Sequence, residues 1–267
     1  KNYDIIHVHS PNPLTEMLTL NCKKKVVVHW HSDIVKQKIL FIFYKPIQQL
    51  FLSNSTKIIC TSPQYLKVSN QLKAFCEKTE IIPLGLKENR LIILENDEIK
   101  NKDKYNFYKE IKKNKKIVLA IGRLVVHKGY KYLIEAGKYL NDNIDIIIVG
   151  DGPLFKNLED QIKYLHLNER IYLIGKVDIG DIKYYLKDCD IVCFSSIMES
   201  FGLALVESLH FGKPLITTNV IGSGMNYVNQ HEETGLIVPP RDPKALAEAI
   251  NKVLSDKKLY NKFSENA

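Results

Sequence analysis

The chain has 267 residues, 45% of them hydrophobic and 25% charged, with a formal net charge of +8. That length suits two ordinary domains, and that composition is globular, which excludes the disordered and fibrous classes. No apolar run reaches the length of a membrane span. The five cysteines, an odd number without a CxxC pair, read as reduced core residues of a cytoplasmic protein.

The positive charge is unevenly placed. Residues 1–85 hold 11 Lys/Arg against 5 Asp/Glu, 86–116 hold 10 against 6, and 117–267 hold 17 against 19. A basic helix interleaved with aromatics, the mark of many nucleic-acid binders, is not found, so no nucleic acid is expected as a partner. Peripheral contact with an anionic membrane, or a lipid-phosphate substrate, fits the basic first part better.

In chain order, short runs rich in Ile and Val predict strands at 4–9 (DIIHVH), 25–31 (KVVVHWH), 57–62 (KIICTS) and 80–85 (EIIPLG). A second set follows at 116–122, 144–150, 170–175, 190–196, 214–219 and 235–240. The runs of the second set are apolar on both faces, as strands buried between helix layers must be. Helical segments lie between them, among them 129–140 and 243–254, the latter opening with Asp242 as N-cap and Pro243 at the first helical position. This alternation predicts an α/β protein with two doubly wound parallel sheets. The boundaries expected are a partial first domain at 1–85, incomplete at its N-terminus, a charged connection with some helix in it at 86–115 and a second domain at 116–267. Segment 34–52, apolar and basic around Pro46, reads either as a helix on a membrane surface or as a buried helix pair kinked at the proline.

The chemistry concentrates at 199–207, ESFGLALVE. A strand ends near Ser196 and a helix is expected from Gly202, so Ser200, Phe201, Gly202 and Leu203 offer free backbone N–H groups to an anion. Two carboxylates beside that anion site would repel a phosphate. They suit hydroxyls instead: Glu207 the diol of a ribose, Glu199 a second sugar beyond the phosphates. Gly122 ends a strand, and Arg123 and Lys128 after it supply the cations that phosphates require. The glycine-rich turn at 148–154 is expected to wall the same crevice, because ligands of open parallel sheets sit at strand C-termini. A nucleotide diphosphate sugar has this order of parts.

The motifs GRLVVHKG, VGDGPL and ESFGLALVE, in this order, resemble the C-terminal domain of the retaining glycosyltransferases of family 4, with the GT-B fold. VVHWHSDIVKQK and IIPLGL are similar to the end of that family's N-terminal domain, particularly in bacterial enzymes of O-antigen and capsular polysaccharide synthesis. The resemblance implies two Rossmann-like domains facing a cleft. It also implies a hexose transferred from a nucleotide diphosphate sugar donor to a glycan or lipid-linked acceptor. Catalysis would be metal-independent, with no cofactor, at the inner face of the cytoplasmic membrane. Carried over by position, Arg123 and Lys128 match the pyrophosphate ligands, Glu207 the ribose ligand and Glu199 the carboxylate near the donor sugar. His31 matches a histidine facing the transferred sugar, and Val177 lies in the segment whose backbone meets the base. Where many members carry GGxPE, this chain has GSGMNYV at 222–228, without the acid, which leaves the donor sugar open.

Other readings of the same residues stand beside these. A nucleotide-sugar epimerase or a catalytically silent nucleotide-sugar-binding protein would share the fold. His7, His9, His29 and His31 alternate on two strands. His9 reads as acceptor-side or structural, His29 as structural, and no metal ligand set is assigned. Asp188 and Asp190 have the spacing of a metal-binding pair but precede a strand at the edge away from the crevice, so capping is expected.

Overall fold

The computed structural model describes residues 3–34, 37–86, 91–94 and 97–267. The chain divides into two compact units: Lys1–Gly85 with Ile221–Tyr227, and Leu86–Val220 with Val228–Ala267.

The first unit has a four-stranded parallel sheet in the order β1 (Ile5–Ser10), β2 (Lys25–Trp30), β3 (Lys57–Cys60), β4 (Thr79–Ile81). Helices α1 (Pro13–Thr19), α2 (Lys38–Asn54) and α3 (Pro63–Val68) connect the strands. Alternation sets its core: Val8, Val26, Val28, Trp30 and Ile58 point to one face and pack with Phe51, Leu52 and Leu72. The helix of segment 34–52 is continuous through Pro46 rather than a kinked pair. It is also not buried throughout. Phe51 and Leu52 enter the core, while Ile39, Leu40, Ile42 and Phe43 are exposed, as are Leu14, Met17 and Leu18 of α1. Tyr44 of α2 donates its hydroxyl to the fully buried Glu16 carboxylate of α1, which ties these two helices together. Among the described residues no helix is long and apolar enough to cross a membrane.

The second unit is a six-stranded parallel sheet. Its strands are β5 (Lys116–Ile121), β6 (Ile144–Val149), β7 (Ile171–Gly175), β8 (Ile191–Phe194), β9 (Leu215–Thr218) and β10 (Gly235–Val238), in the spatial order 10-9-8-5-6-7. Helices α4 (Lys102–Lys112), α5 (Tyr130–Ala136), α6 (Phe155–Tyr164), α7 (Ile182–Asp188), α8 (Leu203–His210), α10 (Pro243–Ser255) and α11 (Lys257–Glu265) follow in chain order, while the short α9 (Met225–Val228) lies mostly in the Ile221–Tyr227 segment that groups with the first unit. All six residues of β6 are buried, which is why its sequence is continuously apolar except at Asp145. The Asp242 side chain accepts from the Ala245 N–H at 3.0 Å, the N-cap expected of α10.

The charged stretch read as connecting chain is in part a packed element of the second unit. Tyr105 and Tyr108 of α4 lie against Tyr185, with Tyr108 and Tyr185 in edge contact at 5.0 Å. Asp188 and Asp190 fasten this helix, and Asp190 also caps the start of β5 through a backbone N–H. Asp188 accepts from Tyr105 at 2.5 Å and pairs with Lys109, and Asp190 pairs with Lys112 and accepts the Ile117 N–H at 2.8 Å. Burial alone would raise the Asp188 carboxyl, but the Tyr105 and Lys109 contacts outweigh it and hold it below the usual range.

Candidate active site

In the second unit the chain order turns around between β5 and β8, which are paired neighbours. One set of strands proceeds outward as 5-6-7 and the other as 8-9-10, so the loops after β5 and β8 part and leave a crevice at the strand C-termini. There lies a cavity of about 600 Å³, lined among others by Gly122, Arg123, Asp151, Val177, Asp178 and Glu207.

The loop after β5 is held by backbone. The Gly122 N–H donates to Val149 O at 3.0 Å and the Leu124 N–H to Asp151 O at 2.9 Å, joining the turns after β5 and β6. Close approach explains two glycines. A Cβ on Gly150 would stand 1.9 Å from the Gly122 carbonyl, and one on Gly129, whose φ is +67°, would stand 2.1 Å from the Ser195 carbonyl. Gly129 is therefore where the Arg123–Lys128 loop meets the loop after β8. Ser195 Oγ donates to Lys128 O at 3.1 Å and the Ile197 N–H to His127 O at 2.8 Å, completing that seam.

Side chains project from this frame. Arg123 is exposed at the cavity wall and has no ion-pair partner among the described residues. The Lys128 side chain turns toward the cavity lining, its Cε 3.8 Å from where a Gly122 Cβ would be. Its ammonium pairs with the Glu199 carboxylate. Beneath them the buried Tyr130 phenol is pushed up, first by burial and then by the Glu199 charge.

Helix α8 follows Gly202, an N-cap with φ +82° and no side chain to accept, so the first-turn amides make no side-chain capping bond, although the Leu205 N–H bonds the Gly202 carbonyl at 2.9 Å. Ser200 differs from expectation, because its N–H donates to Glu199 Oε1 at 3.2 Å and is not free for an anion. Phe201 is buried and Leu203 only partly exposed at 38%, which leaves the backbone as the part of Phe201 that a ligand could meet. Glu207, one turn into the helix, is 9% exposed and reaches the cavity.

The far wall, Lys176 to Ile179, is fastened by the segment before and within α4. Asn101 Oδ1 accepts the Asp178 N–H at 2.6 Å, Lys104 Nζ donates to Lys176 O at 2.7 Å, and Asp181 accepts the Lys100 and Asn101 N–H groups at 3.1 and 2.8 Å. A hydrogen bond from the Gly180 N–H, then the Lys100 ammonium, hold the Asp178 carboxyl low. Sequence reasoning missed Asn101, Lys104 and Tyr130. The first two lie in the stretch set aside as connecting chain, and the only signal for Tyr130 was its place just after the HKG turn.

His9 and His31 belong to the first unit, at the C-terminal ends of β1 and β2. His9 Nδ1 and His31 Nε2 are 2.8 Å apart. Burial, then the neighbouring His31, His9 and His7, push the His29 imidazole down to about 4, and burial with His9 and His7 lowers His31 as well.

The structure thus gathers Gly122, Arg123, Val177 and Glu207 at one cavity, with Lys128, Glu199 and the start of α8 on the adjoining loops, and groups His9 with His31 separately. Comparison with known proteins follows the same division. A family model described as glycosyl transferases group 1 matches residues 101–267, and one described as Glycosyltransferase Family 4 matches residues 1–90. The O-antigen chain mannosyltransferase C of Escherichia coli is 32% identical over 100% of this chain and 70% of its own length. The D-rhamnosyltransferase WbpZ of Pseudomonas aeruginosa is 30% identical over 99% of this chain and 68% of its own. The crystal structure of Anabaena Alr3699/HepE in complex with UDP superposes with a TM-score of 0.83 at 23% identity, covering 99% of this chain and 72% of that one, a likeness of fold.

Proposed function

The chain belongs to the group 1 glycosyl transferases and has their two-sheet GT-B fold, and from that premise we propose which bonds it makes and which residues make them. It moves a hexose from a nucleotide diphosphate sugar to a glycan or lipid-linked acceptor in cell-surface polysaccharide synthesis, with retention of configuration and without a catalytic metal. The observation that carries this reading is the cavity at the β5/β8 turnaround, where Arg123 and Glu207 line one hollow and Lys128 turns toward it.

In the reaction the bond between the sugar C1 and the diphosphate oxygen breaks, and the acceptor oxygen bonds C1 on the same face. The acceptor proton passes to the departing phosphate. Positive charge gathers on the ring and negative charge on the leaving group. Arg123, Lys128 and the amides of Phe201, Gly202 and Leu203 stabilise that negative charge as fixed donors. Glu207 accepts from the ribose diol, and the backbone of Val177 meets the base. Glu199, which pairs with Lys128, orients the sugar once the diphosphate offers Lys128 a second anion. His31 binds the transferred sugar and His9 lies on the acceptor side.

The E. coli and P. aeruginosa relatives are named for mannosyl and D-rhamnosyl transfer, which makes mannose-type donors the first to test. We place the enzyme in the cytoplasm at the inner membrane face. The support is the exposed apolar residues of α1 and α2 beside a first part with 11 Lys/Arg against 5 Asp/Glu. The experiment is a panel of UDP- and GDP-linked hexoses assayed with and without lipid-diphosphate acceptors in the presence of EDTA. Nucleoside diphosphate release that depends on the acceptor is expected. An altered sugar nucleotide formed without acceptor would mean an epimerase, and donor bound without any product would mean a silent binding protein.

A further inference from the structure

The first unit carries a side-chain cluster that sugar transfer does not use in full. His9 and His29 are register partners on parallel β1 and β2, and residues two apart share a strand face. Four imidazoles, from His7, His9, His29 and His31, therefore line one face of two strands. His29 and His31 stack with centroids 4.4 Å apart, His9 and His29 lie at 5.3 Å, and His9 and His31 meet edge to edge in nearly one plane with centroids 5.1 Å apart. One ring nitrogen from each of His9, His29 and His31 lies within 4.8 Å of one from each of the others. Nε2 of His29 is buried and has no hydrogen-bond partner. Strand alternation alone does not reveal this convergence, since it equally permits rings splayed apart.

We propose that His9, His29 and His31 bind one divalent transition-metal ion of the zinc class, and that the bound ion inhibits sugar transfer. Imidazole nitrogens select zinc, copper and nickel, whereas magnesium and calcium require oxygen donors. Zinc–nitrogen bonds of about 2.0–2.1 Å set two ligands of a tetrahedral site roughly 3.3 Å apart. The His9 and His31 nitrogens, 2.8 Å apart and aimed at each other, must part and both rings turn for their lone pairs to meet at one ion. In the metal-free pair one nitrogen holds the proton and the other accepts it. On coordination that proton moves to the far nitrogen of its own ring, so both lone pairs face the metal with no net proton released. The third ligand comes from a ring nitrogen of His29, the residue whose Nε2 is buried without a hydrogen-bond partner. Three protein ligands leave the fourth position to water. The inhibitory half of the proposal rests on the reading that His31 meets the transferred sugar, because a coordinated imidazole has no lone pair or N–H left on that nitrogen for a hydroxyl.

The test uses intact, tag-free protein titrated with Co²⁺, followed by its visible absorption, and with Zn²⁺ by calorimetry. One ion per chain is expected. His29→Gln and His9→Gln should each weaken Zn²⁺ binding by at least about 100-fold, since a ligand is worth more than the roughly 10- to 100-fold lost with a group that only supports one, with circular dichroism unchanged. His7→Gln should weaken it by less than about 10-fold, since His7 touches the proposed ligands but lies outside the converging set. Without metal, His29→Gln should turn over like wild type, and it should resist Zn²⁺ concentrations that stop wild type. Sub-stoichiometric binding, or binding untouched by both His29→Gln and His9→Gln, overturns the site. Stoichiometric binding that leaves transfer running at saturating Zn²⁺ overturns the inhibition and, separately, the placement of His31 at the sugar.

Discussion

The two units build recognition surfaces by different means. In the second, the turns after β5, β6 and β8 are sewn together by backbone: Gly122 to Val149, Leu124 to Asp151, Ile197 to His127, with glycines where two chains nearly touch. In the first, the groups that matter are side chains on a strand face, four neighbouring imidazoles, next to helices whose apolar residues are exposed. A diphosphate has fixed geometry and high charge, so rigid amides and cations suit it without reorganisation. On the proposed reading that the first unit meets the acceptor, a face of rotatable side chains can be altered residue by residue without disturbing a backbone frame.

Three experiments press on this contrast. The largest effect is expected from Lys128→Ala and Glu199→Ala, each lowering kcat/KM for transfer by about 100- to 1,000-fold, the loss typical of one charge-stabilising group, with an unchanged melting temperature. Either variant turning over like wild type would remove the assigned roles. Next is Gly129→Ala, where a Cβ meets the Ser195 carbonyl at a φ of +67°. It should destabilise the second unit by about 2–4 kcal/mol in urea unfolding, since both a backbone clash and an unfavourable conformation are forced. A stable variant would show the seam to be pliable. The smallest effect is the acid response of the first unit. His29 is pushed down to about 4 in the folded protein from 6.5, so below pH 6.5 the unfolded chain binds more protons and stability falls as the pH drops towards 4. His29→Gln should flatten that slope in pH-dependent urea melts and leave the second unit unaffected.

Much of this was readable from residue order because the physics was local. Ten Ile/Val-rich runs became ten parallel strands, and Gly202 began the helix that carries Glu207. Arg123 and Glu207, more than eighty positions apart, meet because strand C-termini in a doubly wound sheet share one edge. What was hidden depends on tertiary contact. The charge of segment 86–115 masked the tyrosines by which α4 packs, and nothing local says that Asn101 and Lys104 hold the loop bearing Val177. Asp190 does take a strand-start N–H, but the lysines that pair with Asp188 and Asp190 lie more than seventy residues away and leave no local signal. The Ser200 amide was expected to be free, and only coordinates show the adjacent Glu199 side chain folding back on it.

Titrating nucleoside diphosphate into wild-type protein and Arg123→Ala by calorimetry, without acceptor or metal, reaches the central claim most directly. One site per chain is predicted, with Arg123→Ala binding about 10- to 100-fold more weakly for loss of a charge-assisted contact worth roughly 1.5–3 kcal/mol. Equal affinity in the two proteins, or no binding to wild type, would contradict a diphosphate site at this cavity.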